Sequence, residues 1–152
     1  MEDLTPTERD WVLASGRVAH LGVVDGDAPY VTAVSYVIMG DRLVFRSLEG
    51  RRMRAIRSNP NVSVLVAEVD GKSGDWRSVS CAGKGEVITD PIMEGDAITK
   101  LLQKYASSYD VLLGISDRMP LQAAYVVAVA LDEVTGRRSG SPLGPKTRPG
   151  RL

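Results

Sequence analysis

Six short segments rich in β-branched and apolar residues recur along this chain, and they constrain its fold more than any other feature. They cover residues 18–24, 30–38, 43–45, 62–69, 76–88 and 123–134. Turn residues, Asp25-Gly26-Asp27 and Gly40-Asp41, close the first two segments. Strands joined by Asp/Gly turns pair with their sequence neighbours in an antiparallel meander. The pattern therefore predicts a mainly β protein, a six-stranded antiparallel barrel with short helices packed at its ends.

Two of the predicted strands carry a further signal. Residues 30–38 are apolar or small on both faces, which predicts a central strand rather than an edge strand. Residues 76–88 alternate, and Gly83 and Gly85 share the apolar face with Val79. Two glycines on one face indicate that another backbone approaches closely, or that the sheet bends. Because strands are apolar on both faces, we expect part of the outer wall to be covered, most economically by a second subunit.

Three helices are predicted around these strands. The first has Thr5 as N-cap and Glu8 three residues later, which is the spacing of a capping box, and it ends at Gly16. The second covers residues 51–58 and stops at Asn59-Pro60. The third begins at Asp90-Pro91 and carries one apolar stripe. That stripe consists of Ile98, Leu101, Leu102 and Tyr105.

The length of 152 residues suits one domain of ordinary size. We expect that domain at residues 1–138, followed by a flexible basic tail rich in Gly and Pro at residues 139–152. Residues 106–120 show no decisive pattern.

Composition excludes several classes of function. The 19 Lys and Arg residues balance 19 Asp and Glu residues, so the chain lacks the cationic surplus of a dedicated nucleic-acid-binding protein. No stretch approaches the roughly 18 unbroken apolar residues of a membrane span, and the acidic start is unlike a signal peptide. We therefore expect a cytoplasmic protein without nucleic-acid or membrane partners. Cys81 is the single cysteine and His20 the single histidine, which argues against a disulfide, a metal site and a Ser-His-Asp triad.

Five arginines crowd residues 45–57, at positions 46, 51, 52, 54 and 57. Arg51 and Arg52 lie in the first turn of the predicted second helix, where free N–H groups and the helix dipole already create positive potential. A cation there is disfavoured by about 0.3–1 kcal/mol unless an anion docks at the helix start. A phosphate monoester suits the site because it carries nearly two charges and matches guanidinium geometry. The alternative is a solvated basic face that pairs with acidic neighbours such as Glu49.

Other candidate residues favour structural roles. His20 lies within the first strand, where we expect a structural histidine with a satisfied hydrogen bond. Cys81 falls on the core face, which indicates a buried and unreactive thiol. Trp76 either stacks on a planar ligand or packs against a helix. No acid–base constellation is visible, so if the protein is an enzyme, a cofactor supplies the reactivity.

Several short motifs follow one another in a characteristic order along most of the chain. They are residues 17–24, 29–36, 43–47, 50–52, 59–62, 76–79, 83–86 and 134–138. In this order they resemble the FMN-binding split-barrel superfamily, which is that of pyridoxamine 5'-phosphate oxidase. The strand Trp76-Arg77-Ser78-Val79 and the late Thr135-Gly136-Arg137-Arg138 resemble the nitroimidazole-reductase (Nim-type) branch most closely. The resemblance covers roughly residues 8–138.

The resemblance implies a six-stranded split β-barrel that forms a homodimer, with two FMN sites between the subunits. The FMN phosphate would be held by Arg51 and Arg52, and the ribityl chain and ring would be lined by Arg46 and Ser47. The backbone of Val31, Thr32 and Val34 would hydrogen-bond the ring. The partner subunit would contribute Ser78 and Ser80.

The function implied by the resemblance is that of an FMN-dependent oxidoreductase, which passes electrons from an unidentified donor through the flavin to a small acceptor. Arg46 stands where many Nim-type members carry a histidine, which puts chemistry tied to that histidine in doubt. The Arg-x-His substrate motif of true pyridoxamine-phosphate oxidases is absent, so we do not expect vitamin B6 oxidation. The alternatives are a deazaflavin coenzyme in the same fold and a non-catalytic protein that binds flavin or haem. The sequence identifies no catalytic residue.

Overall fold

The structure is a computed structural model, and it describes residues 1–105 and 124–140. The described strands are β1 (Glu2–Asp3), β2 (Ala19–Asp25), β3 (Ala28–Val34), β4 (Tyr36–Met39), β5 (Arg42–Leu48), β6 (Asn61–Val69), β7 (Trp76–Val87), β8 (Ala124–Ala130) and β9 (Glu133–Arg138). The helices are α1 (Pro6–Ser15), α2 (Arg51–Ser58) and α3 (Pro91–Tyr105). Every pairing between these strands is antiparallel, in the order β3-β2-β6-β7-β8-β5-β4, and β9 lies between β7 and β1. The prediction of a mainly β, antiparallel split barrel with short helices is confirmed.

The prediction of one central strand at residues 30–38 was wrong. β3 pairs with β2 alone and β4 pairs with β5 alone, so these two strands lie at opposite ends of the sheet order. Ser35 joins the two strands along the chain, but they do not pair with each other, so the barrel is split between β3 and β4. The apolar residues of this segment have different environments. Val37 is buried beneath α3, whereas Val31 is 63% exposed on the outer face of the sheet.

The predicted strand at residues 123–134 is likewise two strands. β8 pairs with the end of β7 and β9 with its beginning, so β7 belongs to both halves of the barrel. The crossing needs a close approach at Gly83, where a Cβ atom would lie 2.6 Å from the carbonyl oxygen of Ala130. The prediction of close backbone contact is confirmed there. Strand β9 continues to Arg138, and the proposed tail beyond residue 140, like residues 106–120, lies outside the described part.

The helix predictions are confirmed. Thr5 caps α1, and its reciprocal bonds with Glu8 complete the capping box. Helix α2 buries Met53 and Ile56 and ends at Ser58, with Asn59 as its C-cap. These boundaries could be predicted because the hydrogen bonds that set them join residues within one helical turn.

Two apolar clusters stabilise the fold. The larger fills the barrel, and the smaller lies between α3 and the outer faces of β4, β5 and β8. The buried members of the smaller cluster are Val37, Val44, Ala97, Leu101, Tyr105, Val126 and Ala128. Within the described residues, none of the helices has the length and apolar character needed to cross a bilayer.

Candidate functional site

Helix α2 carries four of the five clustered arginines, at positions 51, 52, 54 and 57. It follows β5 directly and packs against β2 and β5 through its buried residues Met53, Ala55 and Ile56. Its N-cap is Gly50, which offers no side-chain hydrogen bond to the first turn. Arg51 and Arg52 therefore begin a helix whose N-terminal N–H groups have no side-chain cap.

Arg52 bridges the two sides of the split. Its Nε donates to Thr32 Oγ1 at 2.8 Å, its Nη2 to the Ala33 carbonyl at 3.2 Å, and its Nη1 to Ser47 Oγ at 3.2 Å. Thr32 and Ala33 belong to β3, whereas Ser47 lies on β5 and is only 4% exposed. Burial lowers the pKa of Arg52 below its usual value. Each of Nη1 and Nη2 keeps one further N–H, because a guanidinium carries five.

Arg51 has a different environment. Its Nε donates to the Asp25 carboxylate at 2.6 Å, and its guanidinium lies 3.9 Å from the centre of the Tyr30 ring. Both side chains of this ion pair are nearly half exposed, so the pair contributes at most about 1 kcal/mol. The hairpin of β2 and β3 thus holds Arg51 beside Arg52.

The remaining three arginines of the cluster lie outside the Arg52 network. Arg57 pairs with Glu49 at 2.6 Å and stacks on Tyr125, as the interpretation of a solvated basic face predicts. Arg54 is exposed and has no ion pair within the described residues. Arg46 follows Phe45 on β5, and its side chain leaves the face of the sheet opposite to that of Ser47. The structure therefore separates Arg46 from the Arg52 network.

Strand β3 presents its free edge beside Arg52, but only alternate residues can use it. In an antiparallel strand, neighbouring residues direct their backbone N–H and C=O groups to opposite sides. Val31 therefore cannot share the free edge with Thr32 and Val34. Because Arg52 contacts the Ala33 carbonyl, the backbone groups that point to the free edge are those of Val31 and Ala33. Among the predicted residues, Thr32 enters the network through its side chain, and the Val34 side chain is buried in the core.

Ser78 and Ser80 lie far from this network within one chain. Strand register places Ala33, His20, Leu65, Ser80 and Thr135 in one row across five strands. Ser80 is thus three strands from Ala33, or about 14 Å. Within one chain, the structure therefore does not bring these serines to the Arg52 network.

Two other sequence predictions have opposite outcomes. Cys81 is buried as predicted, and burial raises the pKa of its thiol. His20 was predicted to be structural, but it is exposed on the outer face of β2. Sequence reasoning missed Asp25 and Tyr30, which orient Arg51. The Asp25-Gly26-Asp27 turn could have predicted both residues. In the hairpin that this turn forms, Asp25 pairs with Ala28, and Tyr30 therefore lies nearby.

Comparison with known proteins identifies the family of this chain. A family model described as pyridoxamine 5'-phosphate oxidase matches residues 5–138. The chain belongs to this family. An uncharacterized protein of Rhizobium meliloti is 29% identical over 134 residues, which span 83% of this chain and 87% of the relative. The resemblance seen in the sequence is therefore confirmed at the level of the family.

Solved structures share the fold. A FAD-binding protein of Mesorhizobium loti superposes with a TM-score of 0.71 at 24% identity and covers 90% of this chain and 95% of its own. A proposed 5-nitroimidazole antibiotic resistance protein of Bacteroides thetaiotaomicron gives a TM-score of 0.69 at 19% identity, over 89% and 85% of the two chains. A FAD-binding protein of Mycobacterium smegmatis gives 0.63 at 19% identity, over 90% and 98%. The chain thus shares its fold with these proteins.

Proposed function

We propose that this protein binds FMN through Arg51 and Arg52 and acts as a flavin-dependent oxidoreductase of the Nim type. It would pass electrons from a donor, through the flavin, to a small acceptor. The observation that carries the proposal is Arg52, a half-buried cation whose bonding partners are neutral oxygens rather than carboxylates.

The residues present fit a flavin phosphate. Arg52 is fixed by three hydrogen bonds and keeps two N–H donors, so it can bind a phosphate oxygen without losing its orientation. Arg51 adds a second guanidinium, and the uncapped start of α2 adds backbone N–H groups. A dianion here would offset the repulsion between two adjacent guanidinium groups and the helix dipole.

FMN would supply the hydride and electron transfer, and the chain would bind and orient it. Thr32 and Ser47 hold the Arg52 guanidinium in one plane, and Asp25 and Tyr30 hold that of Arg51. The backbone groups of Val31 and Ala33 at the free edge of β3 are suited to hydrogen-bond a polar ring edge.

We propose further that the active form is a homodimer. The outer face of the sheet exposes Val31 and Leu65 around a groove of about 530 Å³ that includes Gly22, Ser63 and Ser80. Small side chains let a second sheet approach closely, and exposed apolar side chains favour its association. A second copy on this face would carry its Ser78 and Ser80 toward the first copy's cofactor. Light scattering should give the dimer mass at micromolar concentration, and a monomer with full FMN affinity would refute the shared site.

FAD is the second candidate cofactor, because two of the similar structures are described as FAD-binding proteins. A deazaflavin coenzyme is the third. Purified protein should be yellow, and acid extraction followed by chromatography should release FMN. Titration of cofactor-free protein with FMN, FAD, deazaflavin coenzyme and riboflavin then ranks them, and FMN should bind most tightly. Riboflavin lacks the phosphate, so riboflavin affinity equal to that of FMN would remove the arginine site from the proposal.

A further inference from the structure

A second pair of cations, Arg17 and Lys104, lies around the ring of Tyr105. Tyr105, the last residue of α3, accepts a hydrogen bond from the Tyr36 backbone nitrogen at 2.9 Å. Its hydroxyl lies 2.7 Å from the Arg17 carbonyl and 3.0 Å from the Tyr36 carbonyl, to either of which it can donate. Tyr105 thus ties the entry to β2 and the start of β4 together.

Two positive side chains share the ring of Tyr105. The Arg17 guanidinium lies 4.9 Å from the ring centre and Lys104 Nζ lies 5.5 Å from it. Lys104 Nζ also lies 3.9 Å from the centre of the Tyr36 ring. Burial and the nearby charge of Arg17 lower the pKa of Lys104 to about 8. Tyr36 and Tyr105 have raised pKa values, so both rings stay neutral at physiological pH.

Neither cation has an acidic partner within residues 1–105 and 124–140. This contrasts with Arg51, Arg57 and Arg77, each of which pairs with a carboxylate. Two like charges held together by aromatic rings destabilise each other, and an anion between them would remove that cost. Arg17 is exposed and Lys104 is half-buried.

The position of this pair relates it to the Arg52 network. Arg52 bonds the Ala33 carbonyl, and Tyr105 bonds the backbone of Tyr36, three residues further along the chain. Three residues span at most about 11 Å. The backbone contacts of Arg52 and Tyr105 therefore lie within one short stretch of the chain.

We propose that Arg17 and Lys104 form a second anion site, which binds the carboxylate of a small organic acid that reacts at the flavin. The role as a reactant rests on the proposed function, whereas the site itself does not. A carboxylate suits Arg17 because the two oxygens match the fork of a guanidinium, and its single charge suits a partly neutral lysine.

Benzoate is the probe, and benzamide, which has the same ring without the charge, is its control. Both are titrated by calorimetry into the full-length protein, with and without FMN. Benzoate should bind and benzamide should not. Lys104→Gln and Arg17→Gln should each weaken benzoate about fivefold, as for a partly exposed charge pair. Lys104→Arg should retain benzoate affinity, and Lys100→Gln, an exposed lysine one turn earlier on α3, should have no effect.

Nuclear magnetic resonance of the lysine side chains gives an independent readout, because bound benzoate should raise the pKa of Lys104. Equal binding of benzoate and benzamide, or full benzoate affinity in Lys104→Gln, would overturn the site. Tighter binding of inorganic phosphate than of benzoate to FMN-loaded protein would overturn its assignment to carboxylates. Failure of FMN to bind would instead refute the proposed function and the acid's role as reactant, while the benzoate results still decide the site.

Discussion

Replacement of Arg52 by alanine separates two contributions of this side chain, one to the stability of the fold and one to the proposed binding of FMN. Arg52→Ala removes three hydrogen bonds from a charged donor, and Ser47 Oγ keeps only its own bond to the Leu48 carbonyl at 3.1 Å. A hydrogen bond to a charged group contributes about 1.5–3 kcal/mol when buried. Because this guanidinium is half exposed, we expect a total loss of about 2 kcal/mol of unfolding free energy. That corresponds to a fall in Tm of about 4–8 °C.

The same substitution should weaken FMN far more than riboflavin. Loss of one charge-assisted bond to phosphate costs about 1.5–3 kcal/mol, which is roughly a 10- to 150-fold increase in Kd for FMN. Riboflavin has no phosphate, so its Kd should stay within about twofold of the wild-type value. Urea unfolding measures the first effect, and quenching of flavin fluorescence measures the second.

Arg54→Ala is the matched control, because Arg54 is exposed on the same helix and pairs with none of the described acidic residues. It should leave both stability and FMN affinity close to wild type. If Arg52→Ala and Arg54→Ala weaken FMN equally, only the net charge matters and the assigned contact is wrong. If Arg52→Ala leaves the Kd for FMN unchanged, the phosphate lies elsewhere.

Three further predictions test the fold and its titrating groups. Gly83→Ala should lose about 1–3 kcal/mol in urea unfolding, because its Cβ would lie 2.6 Å from the Ala130 carbonyl oxygen. Gly95→Ala on α3, where a Cβ meets nothing within 4 Å, should instead gain about 0.5–1 kcal/mol, and equal effects would contradict the close crossing. The pKa of Lys104 is lowered from 10.5 to about 8, so the folded state binds its proton less well than the unfolded state, and stability should rise between pH 8 and 10.5. Lys104→Gln should abolish that rise, and an identical pH profile in the variant would show that another group causes it. Cys81 is buried with a raised pKa, so a thiol reagent should label native protein far more slowly than urea-unfolded protein, and equal rates would place the thiol at the surface.

The sequence predicted those parts of the site that depend on neighbouring residues. Arg51 and Arg52 were placed at the start of a helix because Asn59-Pro60 limits that helix and Met53 and Ile56 form its buried face. The contacts of Arg52 could not be predicted in this way. Thr32 lies 20 positions earlier in the chain, and only the pairing of β3 at the edge of the split brings it within 2.8 Å.

The amino-acid sequence alone determined the features that depend on local interactions. They are the capping box at Thr5, the hairpin turns, the strand alternation and the cluster of cations at α2. These features depend on hydrogen bonds and side-chain periodicity within a few residues, so they can be predicted without knowledge of the tertiary contacts. The tertiary structure decided which apolar segments lie at an edge, because an apolar face looks the same whether a helix, a neighbouring strand or a second subunit covers it. It also decided that Arg52 bridges the split, whereas Arg46 points away from it, and that Lys104 and Arg17 meet on one tyrosine ring.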